Sequence, residues 1–234
     1  MRKKHLIILI TVLLVLSLTA CQNNGSSNSS EDNGKNPPVN EPENNNSTQN
    51  GEIELEFTVE GIIKPEIAER IIKARSDELI QALKAKDTDL IAEYVHPDKG
   101  VRFTPYTYVS TDSDQIFDQE SIKGFFADEQ VYLWGNYDGS GDEIRLTPGQ
   151  YYEKFIYTAD FINAEEAGYN EVLSFGNMLE NQFEVYENPI IVEYYFSGFN
   201  PEYEGMDWQS LRLVFEEYQG EWKLAGIIHN QWTI

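Results

Sequence analysis

The segment 208–231, WQSLRLVFEEYQGEWKLAGIIHNQ, decides the fold that the rest of the chain can adopt. It holds two runs rich in aromatic and branched residues, Trp208 to Tyr218 and Glu221 to Gln231, with Gly220 in the short turn between them. Such residues favour strands, and a glycine in a short connection is typical of a hairpin. We therefore predict an antiparallel hairpin here, preceded by a third strand within PIIVEYYFSGF, residues 189–199.

Alternation along the last strand predicts which side chains share a face, because successive residues of a strand point to opposite sides. One face would carry Trp222, Leu224, Ile228 and Trp232, and the other Lys223, Ile227, His229 and Gln231. Tryptophans this close to the last residue predict a strand that is held in the core, with Trp232 buried.

Helical patterns precede these strands. Pro65 opens PEIAERIIKARSDELIQALKAKD, in which Ala68, Ile72, Leu79 and Leu83 form one apolar stripe. Asp87 can cap a second, short helix that Pro97 ends, and a further short helix is predicted at 119–127. Thr147 and Gln150 match a capping box. Before all of these, EIELEFTVE, residues 52–60, alternates like a half-buried strand. Helices first and an antiparallel meander last predict an α+β fold.

The order of these patterns resembles a known superfamily. A long helix and a short one in DELIQALKAKDTDLIAEYVHPDKGVRF, followed by a meander that ends WKLAGIIHNQWTI, is similar to the NTF2-like (cystatin-like) proteins. The phrases VHPDKGVRFTPY, WGNYDGSGDEI and GMDWQSLRLVFE also resemble a group of largely uncharacterised bacterial lipoproteins. The resemblance implies helices packed against a strongly curved antiparallel sheet that forms a cone with a pocket.

The first 21 residues have the layout of a secretory signal. A basic head, MRKKH, precedes the apolar run LIILITVLLVLSL, which is too short to span a bilayer permanently. Leu18-Thr19-Ala20-Cys21 resembles the lipobox of bacterial lipoproteins, and Cys21 is the single cysteine of the chain. That resemblance implies cleavage before Cys21, lipid on its sulfur, and a protein held on the outer side of the cell membrane. An ordinary signal peptide with a chance cysteine is the alternative.

Composition separates three parts of the chain. Residues 22–50 are almost without apolar side chains, so they cannot bury enough surface to offset the entropy of ordering. We therefore predict a signal peptide over 1–20, a lipidated cysteine with a disordered tether over 21–50, and a single α+β domain over 51–234.

Charge restricts the possible partners. The chain has 17 basic and 40 acidic side chains, a formal net charge of −23. A surface this acidic repels phosphate backbones, so we predict no nucleic-acid partner. Cations, basic peptides and neutral ligands remain open.

The motifs of common enzyme classes are absent. The sequence has no glycine-rich phosphate loop, no GxSxG elbow and no His/Cys zinc spacing, so we predict neither a metal nor another cofactor. Three polar residues lie among apolar neighbours of the predicted strands: Glu193, Arg212 and His229. If they line a concave face, they could form a ligand site or an acid–base group. If they line the outer face, they are a solvated stripe.

A second candidate lies in YDGSGDEI. Asp138, Ser140 and Asp142 recur at every second position, as oxygen ligands do at the start of a calcium loop. The twelfth position is Gly149 instead of the glutamate such a loop needs, and two glycines suit a hairpin turn. The turn is the preferred interpretation.

These observations lead to two hypotheses of function. The first is a membrane-anchored surface lipoprotein whose domain binds a ligand or a partner without catalysis. The alternative is an enzyme or small-molecule sensor that uses a polar pocket around Arg212 and His229.

Overall fold

The hairpin predicted at the end of the chain forms the centre of a six-stranded sheet. A computed structural model describes residues 53–233, so the predicted signal peptide, Cys21 and the predicted tether lie outside the described residues. The sheet has the strand order β2-β1-β8-β7-β6-β5. Its strands are β1 (Val101–Thr104), β2 (Gln115–Phe117), β5 (Glu166–Tyr169), β6 (Ile190–Phe196), β7 (Gln209–Tyr218) and β8 (Glu221–Gln231).

The sheet is mixed, although the sequence predicted an antiparallel one. β1 runs parallel to β8, with Phe103 opposite Ile227, whereas the other neighbouring pairs are antiparallel. The sheet is neither strongly curled nor closed, so the coarse prediction of helices packed on a sheet is confirmed and the cone is not. Two further strands, β3 (Tyr132–Asn136) and β4 (Glu143–Leu146), form a separate hairpin.

The helices follow the local signals of the sequence. They are α1 (Pro65–Ala85), α2 (Thr88–Tyr94), α3 (Gln119–Lys123), α4 (Pro148–Tyr151) and α5 (Gln182–Val185), with a π-helical turn at Tyr152–Ile156 and 3₁₀ turns at Phe161–Asn163 and Pro201–Tyr203. The predicted stripe of α1 is buried, Asp87 accepts a hydrogen bond from the amide of Leu90, and the capping box of α4 is present. Local capping and periodicity therefore located α1, α2 and α4. The helix predicted at 119–127 is shorter and ends at Lys123, and α5 was not predicted.

The main core lies between these helices and one face of the sheet, here called the helix face. It contains side chains of α1 to α4 together with Leu211, Leu213, Leu224 and Ile227 of β7 and β8. Trp134 stacks on Tyr151 with ring centroids 3.8 Å apart, and its indole nitrogen donates to the carbonyl of Leu146 at 2.9 Å. The opposite face, here called the open face, has a smaller apolar cluster around Val214 and Ile228.

Two predictions about this core were wrong. The segment 52–60 is not a strand in the described residues: the amide of Thr58 donates to the carbonyl of Ile62, which turns the chain back and leaves only a single bridge between Phe57 and Ile63. Its apolar residues are exposed, Val59 to 98%. Trp232 is 38% exposed instead of buried, because β8 ends at Gln231.

The two tryptophans allow a direct test of where the core ends. We expect Trp134→Ala to lower the free energy of unfolding by about 3–5 kcal/mol, since it empties a fully buried aromatic site. Trp232→Ala should cost less than about 1 kcal/mol, because its side chain is partly in solvent. Urea unfolding of both variants measures the difference. Equal losses of unfolding free energy in the two variants would contradict the partly exposed position of Trp232.

Candidate functional site

Glu193 and Arg212 are neighbours on the open face of the sheet. They lie directly opposite each other on β6 and β7, and both side chains are almost fully buried. Arg212 Nε is 3.1 Å from Glu193 Oε1. The other two guanidinium nitrogens donate to both carboxylate oxygens of Glu180, at 2.6 and 3.1 Å. Burial alone would lower the pKa of Arg212, but the two carboxylates raise it, so the guanidinium remains charged.

Polar neighbours donate hydrogen bonds to both carboxylate oxygens of Glu193. The hydroxyls of Ser174 and Ser210 donate to Glu193 Oε1, and the amide of Leu173 donates to Oε2 at 2.7 Å. Ser174 and Glu180 belong to residues 170–189, which connect β5 to β6 and are here called the cover segment. The buried ion pair therefore fastens the cover segment onto the open face, and it is not a solvated stripe.

His229 lies on the opposite side of the sheet from Arg212. It is fully buried on the helix face beside Phe155, with ring centroids 5.7 Å apart. Its Nε2 is 3.2 Å from Gln231 Oε1, while Nδ1 has no hydrogen-bond partner among the described residues. Burial lowers the pKa of His229 to about 4, so the imidazole is neutral at pH 7. The structure brings Glu193 and Arg212 together but does not bring His229 to them.

A bulge in β8 explains this separation. Val214 pairs with Gly226 but Phe215 pairs with Leu224, so Ala225 is an extra residue in the ladder. Leu224 and Ile228 consequently lie in the cores of opposite faces, although strict alternation placed them together. The predicted face assignment along the last strand was therefore wrong beyond Ala225.

Asp138, Ser140 and Asp142 lie in the turn that joins β3 to β4. Gly139 and Gly141 have φ of 79° and 74°, and the amide of Asp142 donates to the hydroxyl of Ser140 at 3.2 Å. Within residues 53–233, no group of three or more His, Cys, Asp or Glu side chains is arranged to hold a metal ion. The geometry is that of a hairpin turn.

Space for a ligand lies outside the main core. The apolar cavity between the helices and the sheet, lined by residues such as Phe103 and Ile227, has a volume of only about 20 Å³. That is room for about one water-sized probe and for no larger ligand. Three other clefts are larger.

The first cleft, of about 350 Å³, lies on the open face between β1, β8 and the cover segment. Arg102 is in register with Gly226 there, and Tyr186 packs over that glycine. A Cβ on Gly226 would lie 2.2 Å from the Tyr186 hydroxyl oxygen, so only glycine fits. The Tyr186 hydroxyl has no hydrogen-bond partner in the part of the chain that is described, and burial raises the pKa of Tyr186.

A partly buried carboxylate lies just before β2. Asp114 accepts hydrogen bonds from the Thr104 hydroxyl at 2.7 Å and from the Ser110 amide at 3.0 Å. Burial raises the pKa of Asp114 to about 6, although these donors and the charge of Arg102 act in the opposite direction. Asp114 therefore titrates close to neutral pH.

Two further clefts adjoin the first. The second, of about 300 Å³, shares Lys99 and Glu216 with it and is also lined by Leu55, Phe57 and Trp222. The third, of about 290 Å³, shares Asn188 with the second and extends to Phe183. The three clefts together are here called the groove. The sequence does not predict the groove, because the alternating apolar side chains at 55 and 57 predict a half-buried strand instead.

The coupling within the buried ion pair can be tested by double substitution. We expect Arg212→Met to lower the free energy of unfolding by about 3–5 kcal/mol, because Glu193 would remain buried without its counter-charge. Adding Glu193→Gln should recover part of this loss in guanidinium unfolding. As a control, Lys84→Met breaks the exposed pair with Asp160 and should cost less than about 1 kcal/mol. Glu193→Gln is also measured alone. A double variant whose loss of unfolding free energy equals the sum of the losses in the two single variants would contradict the coupling.

Comparison of the chain with protein-family models, curated proteins and solved structures gave no significant match. Among residues 53–233, no helix is both long and apolar enough to cross a bilayer. What the protein does must therefore be argued from its own residues and from the groove.

Proposed function

We propose that the protein is a lipid-anchored component of the outer side of the cell membrane, and that its domain binds a partner without catalysis. The observation that carries the proposal is the groove. Three adjoining clefts have volumes of about 290 to 350 Å³, whereas the cavity beneath the helices holds about 20 Å³. Small-molecule sites bury most of their ligand in one pocket, whereas these three clefts adjoin one another along the surface, so a partner that extends across more than one cleft is favoured.

Binding is proposed in preference to catalysis because of where the polar residues lie. A reaction centre needs its acid, base and electrostatic groups within reach of one reacting atom. Arg212 and His229 lie on opposite faces of the sheet, and both are closed off from solvent. The enzyme or sensor hypothesis, which depended on a pocket between them, is therefore the weaker of the two.

The NTF2-like resemblance belongs to the same proposal at the level of the fold. Its support is the element order: α1 and α2, then the strands β1 and β2, and finally a meander of β6, β7 and β8 with helices on one face. Because the interior is filled by aromatic side chains, binding in this chain is assigned to the groove and not to the inside of a cone.

The anchor is supported by the sequence Leu18-Thr19-Ala20-Cys21 after the apolar run. Two or more acyl chains on one residue hold a protein firmly at a membrane surface. We expect Cys21→Ala to move the protein out of the membrane fraction or to leave its signal peptide uncleaved, as measured by cell fractionation and mass spectrometry. Ser26→Ala should change neither result. A cleaved Cys21→Ala protein that still sediments with membranes would contradict lipidation.

Photocrosslinking tests the groove. We expect a benzoylphenylalanine at position 57, in the second cleft, to form a defined adduct in the cells that make the protein. The control is the same residue at position 175, where Phe175 is 78% exposed and does not line the groove. Because Phe175 is the more accessible of the two, chance collisions would label it more strongly. An absent adduct at 57, or the same adduct at 175, would overturn the assignment of the groove.

A further inference from the structure

The second and third clefts carry an excess of unpaired negative charge. Four glutamates, Glu60, Glu184, Glu187 and Glu217, line them and are exposed. Within the described residues, none of the four has a lysine, arginine or histidine nitrogen within 4.0 Å. These carboxylates are therefore free to pair with a cationic partner.

The first and second clefts share two residues, Lys99 and Glu216, whose charges are paired with each other. Glu216 is buried there, and its two oxygens are occupied by Lys99 Nζ at 2.9 Å and by the amide of Glu187 at 2.5 Å. The positive charge of Lys99 is thus already compensated. The second and third clefts keep their negative character.

Apolar surface lies between the carboxylates. Leu55, Phe57 and Trp222 line the second cleft, and Phe183 lines the third. Lysine and arginine side chains fit such a surface, because their aliphatic stems cover apolar groups while their charged ends reach carboxylates. Cations also interact favourably with the faces of aromatic rings.

We propose that the second and third clefts of the groove bind an extended, basic polypeptide segment. In an extended chain alternate side chains point to opposite sides, so every second residue could reach the two adjoining clefts in turn. A second copy of this chain is a poor occupant, since each copy has a net charge of −23. This inference rests on the proposed function and adds the chemistry of the partner.

Fluorescence polarisation with defined peptides tests the charge. The full-length protein, purified in detergent, is titrated against three labelled decapeptides of alternating sequence: Lys-Ala, Ser-Ala and Glu-Ala repeats. We expect the Lys-Ala peptide to bind and the other two to bind at least about tenfold more weakly, because opposite charges attract and like charges repel across an interface. Higher salt should weaken the Lys-Ala complex.

Matched charge reversals locate the site. The groove variant combines Glu184→Lys, Glu187→Lys and Glu217→Lys. The control variant combines Glu129→Lys, Glu171→Lys and Glu202→Lys, which are exposed glutamates outside the three clefts with the same change in net charge. We expect at least about a tenfold loss of Lys-Ala affinity in the groove variant and less than about a threefold loss in the control.

The outcomes separate the two proposals. Equal losses in both triple variants would mean attraction to net charge alone and would overturn the inference. Equal binding of the Ser-Ala peptide would also overturn it, while a specific photocrosslink at position 57 would leave the groove as a partner site. Failure of both the crosslink and the peptide would overturn both proposals.

Discussion

The pairing of β7 with β8, with its one extra residue at Ala225, is the constraint on which the rest of the structure depends. Because side chains alternate along a strand, an inserted residue reverses the facing of everything beyond it. It places Ile227 and His229 with the helices, and it places Gly226 and Ile228 on the open face. Gly226 then lies beneath Tyr186, where a side chain would clash with the tyrosine hydroxyl. The bulge therefore also shapes the floor of the first cleft.

The buried ion pair has a structural effect that extends beyond its own residues. Breaking a buried pair on one side is costly, since the remaining charge lies in a medium of low polarity. Arg212 and Glu193 therefore hold Ser174 and Glu180 in place, and with them the start of the cover segment. The later part of the same segment, which includes Phe183 and Asn188, forms one side of the groove. The polar cluster that the sequence offered as a candidate site thus holds in place the segment that forms one side of the groove.

Local signals in the sequence predicted α1 to α4 and β6 to β8, but not β1, β2, β5 or α5, and little of the arrangement of these elements. The stripe of α1, the cap at Asp87 and the strands β6 to β8 depend on neighbouring residues, so they could be inferred from periodicity. The parallel pairing of β1 with β8 could not, because it joins residues more than 120 positions apart. The exposure of Trp232 and the turn after Phe57 were not predicted either. Alternation along a segment indicates a strand, but it does not show which other strand that segment pairs with. The groove combines several segments that have no shared motif.

His229 and Asp114 change the stability of the fold in opposite directions when the pH falls. The unfolded chain takes up a proton on histidine near pH 6.5, whereas His229 resists protonation until about pH 4, so its contribution to stability is lost as the pH falls through that range. Asp114 acts in the opposite sense: it binds its proton at about pH 6 in the fold but near 3.8 when unfolded, so acidification restores stability. The two shifts overlap between about pH 4 and 6, where they change the stability of the fold in opposite directions. Mild acidification therefore weakens the fold through His229 on the helix face, while it favours the fold through Asp114.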